Sequence, residues 1–330
     1  MSAREGGSPN FSVVVPCFNE EEVVRETHKR LGAALAEIGL ACEVIYIDDG
    51  SADKTLDILM ELQNDDPSMR VVALSRNFGH QVAVTAGLEH CTGDVVGIID
   101  ADLQDPPEIF AEMLAEWRKG ADVVYAVRAE RAGETAFKTW SAKRFYRFIN
   151  AISDVDIPLD TGDFRLMDRC AVDALLAMPE RDRFIRGMVA WVGFKQVPLS
   201  YQRAPRFAGE TKYPLKRMLR FASDGLLSFS LVPMRFAILT GSAVAGLSFL
   251  GILYALFMRI FTSDWVTGWT MLFIAVLFIG GLQLIFLGLI GEYVGRVYGE
   301  AKRRPLYFVK RRAGFEKSGR DAADSTADHA

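Results

Sequence analysis

The stretch VVGIIDADLQDPPE, residues 95–108, joins an apolar, β-branched run directly to a cluster of carboxylates. Helical patterns of about a dozen residues separate runs of this kind, so the strands are predicted to be parallel. Ligands bind outside the carboxyl ends of such strands. The sequence therefore predicts an α/β domain with a polar and acidic binding edge. The other four runs, each ending in polar or acidic residues, are Phe11–Val15, Glu43–Ile47, Val71–Leu74 and Asp122–Val127.

The carboxylates of this stretch have the spacing of a cation site. Asp100 and Asp102 stand at positions i and i+2, so an extended backbone would point both side chains the same way. Oxygen ligands suit Mg²⁺ or Mn²⁺, which usually complete their shell with substrate phosphates. The alternative is a charged strand end that caps the next helix through Asp105 and Glu108. Capping would leave Asp100, Asp102 and Gln104 unexplained.

Two neighbouring strand ends add polar groups to the same edge. Asp48 begins the motif DDGS, where a carboxylate can accept a hydrogen bond from a base or a ribose hydroxyl. A glycine turn that starts a helix is the alternative there. The segment Pro16 to Glu20 lacks the glycine patterns of dinucleotide-binding and phosphate-binding loops, which disfavours a nicotinamide enzyme or a kinase-like ATPase. The net charge of −4 is too small to indicate a nucleic-acid partner.

Two long stretches without charged residues run from Phe236 to Met258 and from Trp265 to Gly291. Each exceeds the roughly 20 residues needed to span a bilayer, which predicts transmembrane helices at about 233–260 and 266–294. Two buried helices of a soluble core are the alternative. Lys and Arg concentrate before the first stretch and after the second, so both termini and the α/β domain are predicted to be cytoplasmic, in a multi-pass protein of the cell inner membrane.

Cysteine and histidine give no sign of a disulfide framework or a zinc site. The cysteines show no paired spacing, which fits a reducing compartment. The histidines form no metal-ligand pattern either. The residues concerned are Cys17, Cys42, Cys91 and Cys170, and His28, His80, His90 and His329.

The patterns divide the chain into five segments. Residues 1–10 are predicted to be a disordered tail, and residues 11–212 the cytosolic α/β domain. Residues 213–231 have apolar residues at helical spacing with basic residues between them, which predicts an interfacial amphipathic helix; an ordinary surface helix is the alternative. Residues 232–295 form the predicted membrane hairpin. Residues 296–330 are predicted to be a basic cytosolic tail, partly disordered.

Five motifs in this order resemble the family 2 glycosyltransferases, and in particular their polyprenyl-phosphate branch, which includes bactoprenol glucosyltransferases and dolichol-phosphate mannose synthases. The motifs are PCFNEEE, DDGSADKT, SRNFGHQVAVTAGL, DADLQDPPE and DTGDFRLMDR, followed by the two apolar stretches. The resemblance covers about residues 11–310. It implies an A-type glycosyltransferase fold, a nucleotide-diphosphate-sugar donor, a polyprenyl phosphate acceptor, Mg²⁺ or Mn²⁺, and a homo-oligomer, a tetramer by likeness.

The resemblance also implies roles for residues of these motifs. Nucleotide-sugar contacts are implied for Pro16, Glu20, Asp48, Arg76, Gln81 and Asp100. Metal contacts are implied for Asp100, Asp102 and Gln104. Catalytic roles are implied for Asp102, Asp160 and Asp163, and which of Asp160 and Asp163 faces the acceptor stays open. For Arg76 and Gln81 the alternative interpretation is that they are ordinary residues at the start of a helix.

A lipid phosphate at the membrane surface calls for basic residues that face the site. The candidates are Arg128, Arg131, Arg203 and Lys212. Arg128 and Lys212 match the motifs of the family best, whereas a solvated surface charge is the alternative for Arg131 and Arg203.

The expected function is inverting transfer of a sugar from a nucleotide-sugar donor to polyprenyl phosphate at the cytoplasmic face of the membrane. Glucose from UDP-glucose is the first expectation, and the product would serve envelope glycan or lipid modification. A GDP-mannose-dependent or modified-sugar (aminoarabinose-like) transferase is the alternative. An alternative of another class is a non-catalytic, membrane-anchored scaffold that binds nucleotide sugars.

Overall fold

The computed structural model of the chain describes residues 11–128, 161–202, 232–261 and 269–315. These residues fall into two compact units. The first holds 11–128, 161–202 and 305–315, and the second holds 232–261 and 269–304.

The first unit is built on one eight-stranded sheet with the order β7-β5-β6-β4-β1-β2-β3-β8. β6 is antiparallel to both of its neighbours and β8 is antiparallel to β3, while the remaining pairs are parallel. The five strands predicted before residue 130 are all present, which confirms a mostly parallel α/β sheet. The strands are β1 (Phe11–Cys17), β2 (Cys42–Asp48), β3 (Met69–Leu74), β4 (Val95–Ile98), β5 (Val123–Arg128), β6 (Thr161–Asp168), β7 (Gln196–Tyr201) and β8 (Val309–Ala313).

Helices follow the strands and carry an apolar face at helical spacing. α1 buries residues at positions 24, 27, 31, 34 and 35, as expected for a helix that covers a sheet. The helices of this unit are α1 (Val24–Ile38), α2 (Thr55–Asp65), α3 (His80–His90), α4 (Ile109–Arg118), α5 (Arg169–Ala177) and α6 (Ile185–Trp191).

Both faces of the central strand β1 are covered, so all seven of its residues are buried. Phe11 packs edge-on against Phe110 of α4, with ring centroids 5.3 Å apart. Val14 points the opposite way, because side chains alternate along a strand, and it lies against Gly87 of α3. A run of buried β-branched residues is typical of a strand between two helical layers.

A strand that the sequence analysis does not predict closes one edge of the sheet. β8 pairs with β3, and the backbone N–H of Ser75 donates to the carbonyl of Phe308 at 2.9 Å. The sequence VKRRA is short and mostly charged, so its pattern gives no strand signal. The pairing fixes the end of β3, from which the chain enters the loop before α3.

The second unit contains two long helices, α7 (Val232–Phe261) and α8 (Trp269–Ala301). Large apolar side chains along both helices are exposed, among them Leu247, Phe257 and Leu284. Within the described residues, one segment, Phe278–Ala301, is long and apolar enough to cross a membrane, and Leu239–Gly251 is a shorter apolar stretch. α7 covers the first predicted span, and α8 covers the second from Trp269 on. The hairpin topology stays a prediction, and the predicted interfacial helix lies outside the described residues.

Replacing Gly87 by alanine is expected to destabilise the first unit, because the added Cβ would lie 2.1 Å from Val14 Cγ1. Overpacking of this kind costs about 1–3 kcal/mol of unfolding free energy. Gly32 in α1 is the matched control, since its Cβ would meet no atom within 4 Å. Gly32→Ala is expected to stabilise by about 0.5–1 kcal/mol, and unfolding of the purified variants measures both. A loss of stability at Gly32 equal to that at Gly87 would contradict the packing described here.

Candidate functional site

The carboxyl ends of β4, β1 and β2 lie side by side at one edge of the sheet. Cys17 is in register with Asp48, and the backbone N–H of Ile99 donates to the carbonyl of Val14 at 3.1 Å. The backbone N–H of Asp49 donates to the carbonyl of Cys17 at 2.9 Å. Three predicted polar segments therefore meet at one place, as the order of the strands requires.

The two aspartates after β2 have different partners. Asp48 is buried, and its Oδ1 accepts from the backbone N–H of Ser51 at 3.3 Å. Asp49 accepts from the backbone N–H groups of Phe78 and Gly79, at 2.7 Å and 2.9 Å. Burial raises the pKa of both carboxyls above the ordinary value. Asp49, which the sequence analysis does not single out, fixes the loop that leads into α3.

The loops after β1, β2 and β3 contact one another closely at Gly50. This residue has a φ of +68°, and a Cβ on it would lie 2.4 Å from the carbonyl carbon of Arg76. Beside it, the backbone N–H of Asn19 donates to Ser51 Oγ at 3.0 Å, and that of Glu20 donates to Thr55 Oγ1 at 2.8 Å. The loop that follows Pro16 and the end of β1 is thus bound to the DDGS turn through Asn19 and to the start of α2 through Glu20.

Asp100 presents an oxygen that the protein leaves unsatisfied. Asp100 Oδ1 is buried and accepts no hydrogen bond from the described residues, and His80 Nε2 lies 3.7 Å away. Burial raises the pKa of Asp100 to about 6, although the charge of His80 opposes the shift. A buried polar atom without a partner is uncommon in a folded protein and indicates a ligand position.

The acidic loop after β4 turns earlier than the sequence analysis predicts. β4 ends at Ile98, and the backbone turns at Ala101 and Asp102, so the extended geometry expected for Asp100 and Asp102 is wrong. Asp102 Oδ1 instead accepts from the backbone N–H of Gln104 at 3.1 Å, which closes a tight turn. The three residues still lie in one short loop, at the edge formed by the strand ends.

The alternative role of Glu108 in a capping box is wrong. α4 begins at Ile109, and Glu108 makes no capping hydrogen bond through its side chain. Glu108 pairs instead with Arg30, which donates from Nε at 2.8 Å and from Nη2 at 3.0 Å. Asp105 is buried and accepts a hydrogen bond from the hydroxyl of Tyr201. Asp105 therefore ties the acidic loop to β7.

A second carboxylate of the site, Asp163 at the start of β6, is almost fully engaged. His80 Nε2 lies 2.9 Å from Asp163 Oδ2, and Gln81 Nε2 donates to the same oxygen at 3.1 Å. Arg186 donates from Nε to Oδ1 at 2.8 Å. The Asp163 side chain is only 4% exposed, and Arg165, equally buried, forms an ion pair with Oδ1 at 3.8 Å. One carboxylate therefore joins β6, α3 and α6.

The charges around Asp163 strongly shift the pKa values of Asp163 and His80. Burial alone would raise the pKa of Asp163, but hydrogen bonds from His80 and Arg186 and their charges hold it well below the usual range. Burial alone would lower the pKa of His80, but the hydrogen bond to Asp163 and the charges of Asp100 and Asp163 raise it to about 9. At neutral pH the cluster therefore contains an ionised Asp163 and a protonated imidazole.

The sequence analysis predicts Asp163 and Gln81 but misses their partners His80 and Arg186. Gln81 connects two elements, because its Oε1 also accepts from the backbone N–H of Ile185 at 2.8 Å. His80 stands beside Gln81 at the start of the helix after β3, which was the available signal. Arg186 lies in a segment, RFIRG, that carries no recognised motif.

Of the remaining predicted site residues, two lie within the described residues and four lie outside them. Arg76 is exposed, with its guanidinium 4.0 Å from the ring centre of Phe78. Arg128 ends β5, in register with Tyr201 at the end of β7. Asp160, Arg131, Arg203 and Lys212 lie outside the described residues, so their roles stay predictions.

The residues of the acidic loop fit a divalent cation that shares its ligands with a substrate. Within the described ranges, no group of three or more His, Cys, Asp or Glu residues could hold a metal by itself. A hard cation is often bound by one or two carboxylates and completed by substrate phosphates and water. The unsatisfied oxygen of Asp100, two residues from Asp102, meets that requirement.

Comparison with known sequences decides the family. Residues 12–176 match the pattern of glycosyl transferase family 2. The chain belongs to this family. It is 47% identical over 306 residues to the uncharacterized glycosyltransferase YkcC of Bacillus subtilis (strain 168), an alignment that covers 93% of this chain and 95% of the relative. It is 39% identical to the bactoprenol glucosyl transferase of Shigella phage SfV, over 91% of this chain and 98% of that protein.

Solved structures give weaker matches. Glucosyl-3-phosphoglycerate synthase from Mycobacterium tuberculosis, in complex with Mn²⁺, uridine-diphosphate-glucose and phosphoglyceric acid, is 24% identical. The match has a TM-score of 0.44 and covers 67% of this chain and 79% of that one. Membership of family 2 and the mostly parallel sheet agree with the A-type glycosyltransferase fold that the motifs implied.

Replacing Asp163 by asparagine is expected to lower the unfolding free energy by about 3–5 kcal/mol, because the buried Arg165 and the paired His80 and Arg186 lose their counter-charge. Asp173 provides the matched control, since its carboxylate is exposed to solvent in the ion pair with Arg169, and Asp173→Asn is expected to cost less than about 1 kcal/mol. Chemical unfolding of both variants at neutral pH measures the difference.

The pH dependence of stability is a second test of the Asp163→Asn variant. The pKa of Asp163 is lower in the folded protein than in the unfolded chain. Its contribution to the unfolding free energy is therefore present above the unfolded pKa and is lost as the pH falls through the folded pKa. The stability gap between the wild-type protein and Asp163→Asn should therefore close in acid. A gap that is constant from pH 7 to strongly acidic solution would contradict the charge assignment.

Proposed function

We propose that this family 2 glycosyltransferase transfers a sugar, with inversion, from a nucleotide-diphosphate donor to polyprenyl phosphate at the cytoplasmic face of the cell inner membrane. Glucose from UDP-glucose is the first candidate donor. The proposal is supported by the similarity to a bactoprenol glucosyl transferase along nearly the whole of both chains. The structural observation that carries it is the buried, unsatisfied oxygen of Asp100 at the edge where β4, β1 and β2 end.

The acidic loop would bind the diphosphate of the donor. Asp100, Asp102 and Gln104 would hold Mg²⁺ or Mn²⁺, and the bound cation would neutralise the leaving nucleoside diphosphate. Asp48, Pro16 near the end of β1, and Glu20 in the loop that follows border the same edge and would contact the nucleoside. Arg76 and Gln81 are close to this edge, and in our proposal Gln81 acts mainly by holding Asp163 and the start of α6.

The acceptor would attack without a strong general base. A phosphate monoester is already largely ionised at neutral pH, so the protein has mainly to position its oxygen against the anomeric carbon. Asp163 agrees with a mechanism that has no strong general base. It is ionised and already accepts several hydrogen bonds, and such a carboxylate is a poor proton acceptor. Asp160 would then be the carboxylate that faces the acceptor, with Arg128, Arg131, Arg203 and Lys212 as candidates for binding its phosphate.

The lipid character of the acceptor fits the second unit. Large apolar side chains are exposed along α7 and α8, a pattern that is costly in water and suited to hydrocarbon. We propose that both helices span the bilayer, with the basic residues around them keeping both termini and the catalytic domain in the cytoplasm. The tetramer implied by the resemblance to the family stays a prediction.

The experiment that tests the function is sugar transfer by the purified, full-length protein in detergent or nanodiscs. Radiolabelled UDP-glucose, GDP-mannose and other nucleotide sugars are offered with polyprenyl phosphate, with and without Mn²⁺ or Mg²⁺. The expected result is label in an organic-extractable product from one donor, only when a cation is present. Donor binding without transfer to any polyprenyl phosphate would contradict the proposal and favour the non-catalytic scaffold.

Replacing Asp102 by asparagine is expected to abolish transfer, because the acidic loop would lose one of its two cation-binding carboxylates. The variant should stay folded, since the amide oxygen can still accept from the Gln104 N–H. Product formation and thermal unfolding are measured together, with Asp94→Asn as the control at the other end of β4. Turnover near the wild-type rate with divalent cation would refute the assignment of Asp102 to the metal.

Binding of Mn²⁺ is expected to weaken as the pH falls through about 6, because a proton then competes for Asp100, whose pKa is raised to about 6. Titration of the full-length protein with Mn²⁺ from pH 5 to 8, followed by electron paramagnetic resonance, measures this. In Asp100→Asn the affinity should be low at every pH. A wild-type affinity that does not change between pH 5 and 8 would speak against Asp100 as a ligand.

A further inference from the structure

We propose that the basic segment, Lys302 to Arg312, binds the headgroups of anionic phospholipids. The inference rests on the membrane placement of α8 in the proposed function, and it adds a lipid partner other than the acceptor. The sequence of the segment is KRRPLYFVKRR, in which two identical triplets of cations flank an apolar stretch. No Asp or Glu stands between Glu300 and Glu316. About four to eight Lys and Arg residues directly after a membrane span are typical of binding to anionic lipid.

The six cations of the basic segment are all exposed to solvent. Arg303 forms no ion pair with any residue that the structure describes, and the same holds for Lys310, Arg311 and Arg312. The described carboxylates therefore leave these four charges available to a partner from outside. Such charges are attracted to an anionic surface over a Debye length of about 10 Å, beyond the range of direct contact.

An aromatic side chain within the segment favours a lipid surface over a soluble anion. Phe308 lies between the two triplets and is 58% exposed. Its backbone carbonyl accepts from the N–H of Ser75 at 2.9 Å, so the residue is held at the sheet. Aromatic rings among Lys and Arg are common at the interface of a bilayer, because the ring enters the headgroup boundary while the cations stay among the phosphates.

The second triplet lies in β8, the edge strand of the sheet. Val309 pairs with Leu74 at the carboxyl end of β3, so the chain enters the sheet at the edge that holds the candidate site. Along the chain, residues 302–308 alone separate β8 from α8. A basic run acts on a membrane when it follows the span closely, because the attraction falls off within a Debye length. Both triplets satisfy this requirement.

Two other roles are alternatives for the same charges. Cations on an edge strand discourage pairing with another chain, and cations after a span help to fix its orientation. Neither role requires contact with an anionic headgroup, so neither predicts that the purified protein prefers one lipid to another. A comparison of an anionic with a zwitterionic lipid therefore separates these roles from the proposed one.

The test measures the Kd of dioleoylphosphatidylglycerol and of dioleoylphosphatidylcholine for the purified full-length protein in detergent, by native mass spectrometry. The variant carries Lys310→Gln, Arg311→Gln and Arg312→Gln together, which leaves the first triplet to orient the span. A charge-conserving variant carries Lys310→Arg, Arg311→Lys and Arg312→Lys. Thermal unfolding confirms that each variant is folded.

The matched control removes three exposed cations from α1 and the end of α4. It carries Lys29→Gln, Arg118→Gln and Lys119→Gln. Should the triple variant of β8 not fold, Arg311→Gln alone replaces it, with an expected loss of about twofold in the preference for the anionic lipid.

We expect the wild-type protein to bind phosphatidylglycerol about tenfold more tightly than phosphatidylcholine at low salt, and the triple glutamine variant to lose that preference. The charge-conserving variant and the matched control should keep it. In about 0.5 M NaCl the wild-type preference should fall, because salt screens exposed charges.

The proposal is overturned if the triple glutamine variant keeps the wild-type preference, or if the charge-conserving variant or the matched control loses it as well. A higher KM for polyprenyl phosphate in pure phosphatidylcholine nanodiscs, with an unchanged preference for phosphatidylglycerol, would assign the charges to the acceptor instead and overturn it too. Failure of the proposed function is seen separately. A wild-type protein that leaves the membrane without detergent contradicts the placement of α8, whereas a protein that requires detergent but shows no lipid preference contradicts only the role of the basic segment.

Discussion

The buried carboxylate of Asp163 holds together three elements that are far apart in the chain. It lies in β6, and its partners come from the start of α3 and from α6, with His80 83 residues away in sequence. A charge taken out of water is tolerated only when it is paired and hydrogen-bonded. The positions of His80, Gln81 and Arg186 are therefore linked, because the loss of any one of them leaves a buried charge less well satisfied.

Asp100 is the contrasting case, because one oxygen of its carboxylate accepts no hydrogen bond from the part of the chain that the structure describes. Burial raises its pKa, whereas the donors around Asp163 lower the pKa of that residue. The two carboxylates are connected through His80, which approaches both. The described residues thus satisfy one carboxylate internally, and in our proposal the other is the one that binds a ligand, so a single side-chain type serves both as an anchor and as a binding group.

The sequence was informative wherever the signal is local. Apolar β-branched runs and helical spacing predict β1 to β5, and the acidic ends of those runs predict the edge that forms the site. Contacts between distant residues could not be read in this way. The pairing of Asp105 with Tyr201 joins residues 96 apart, so the local pattern suggested a helix cap instead. β8 was missed because its short, charged sequence becomes a strand only through its pairing with β3.

The arrangement also explains why transfer to a phosphate would suit this site. An acceptor that is already anionic needs its charge balanced more than it needs a proton removed. Two of the three cations around Asp163, Arg165 and Arg186, are directed at that carboxylate, while the third, His80, keeps one ring nitrogen clear of the described residues. His80 Nε2 lies 2.9 Å from Asp163 Oδ2 and 3.7 Å from Asp100 Oδ1, so the charge balance of the internal anchor is coupled to that of the neighbouring carboxylate in the acidic loop.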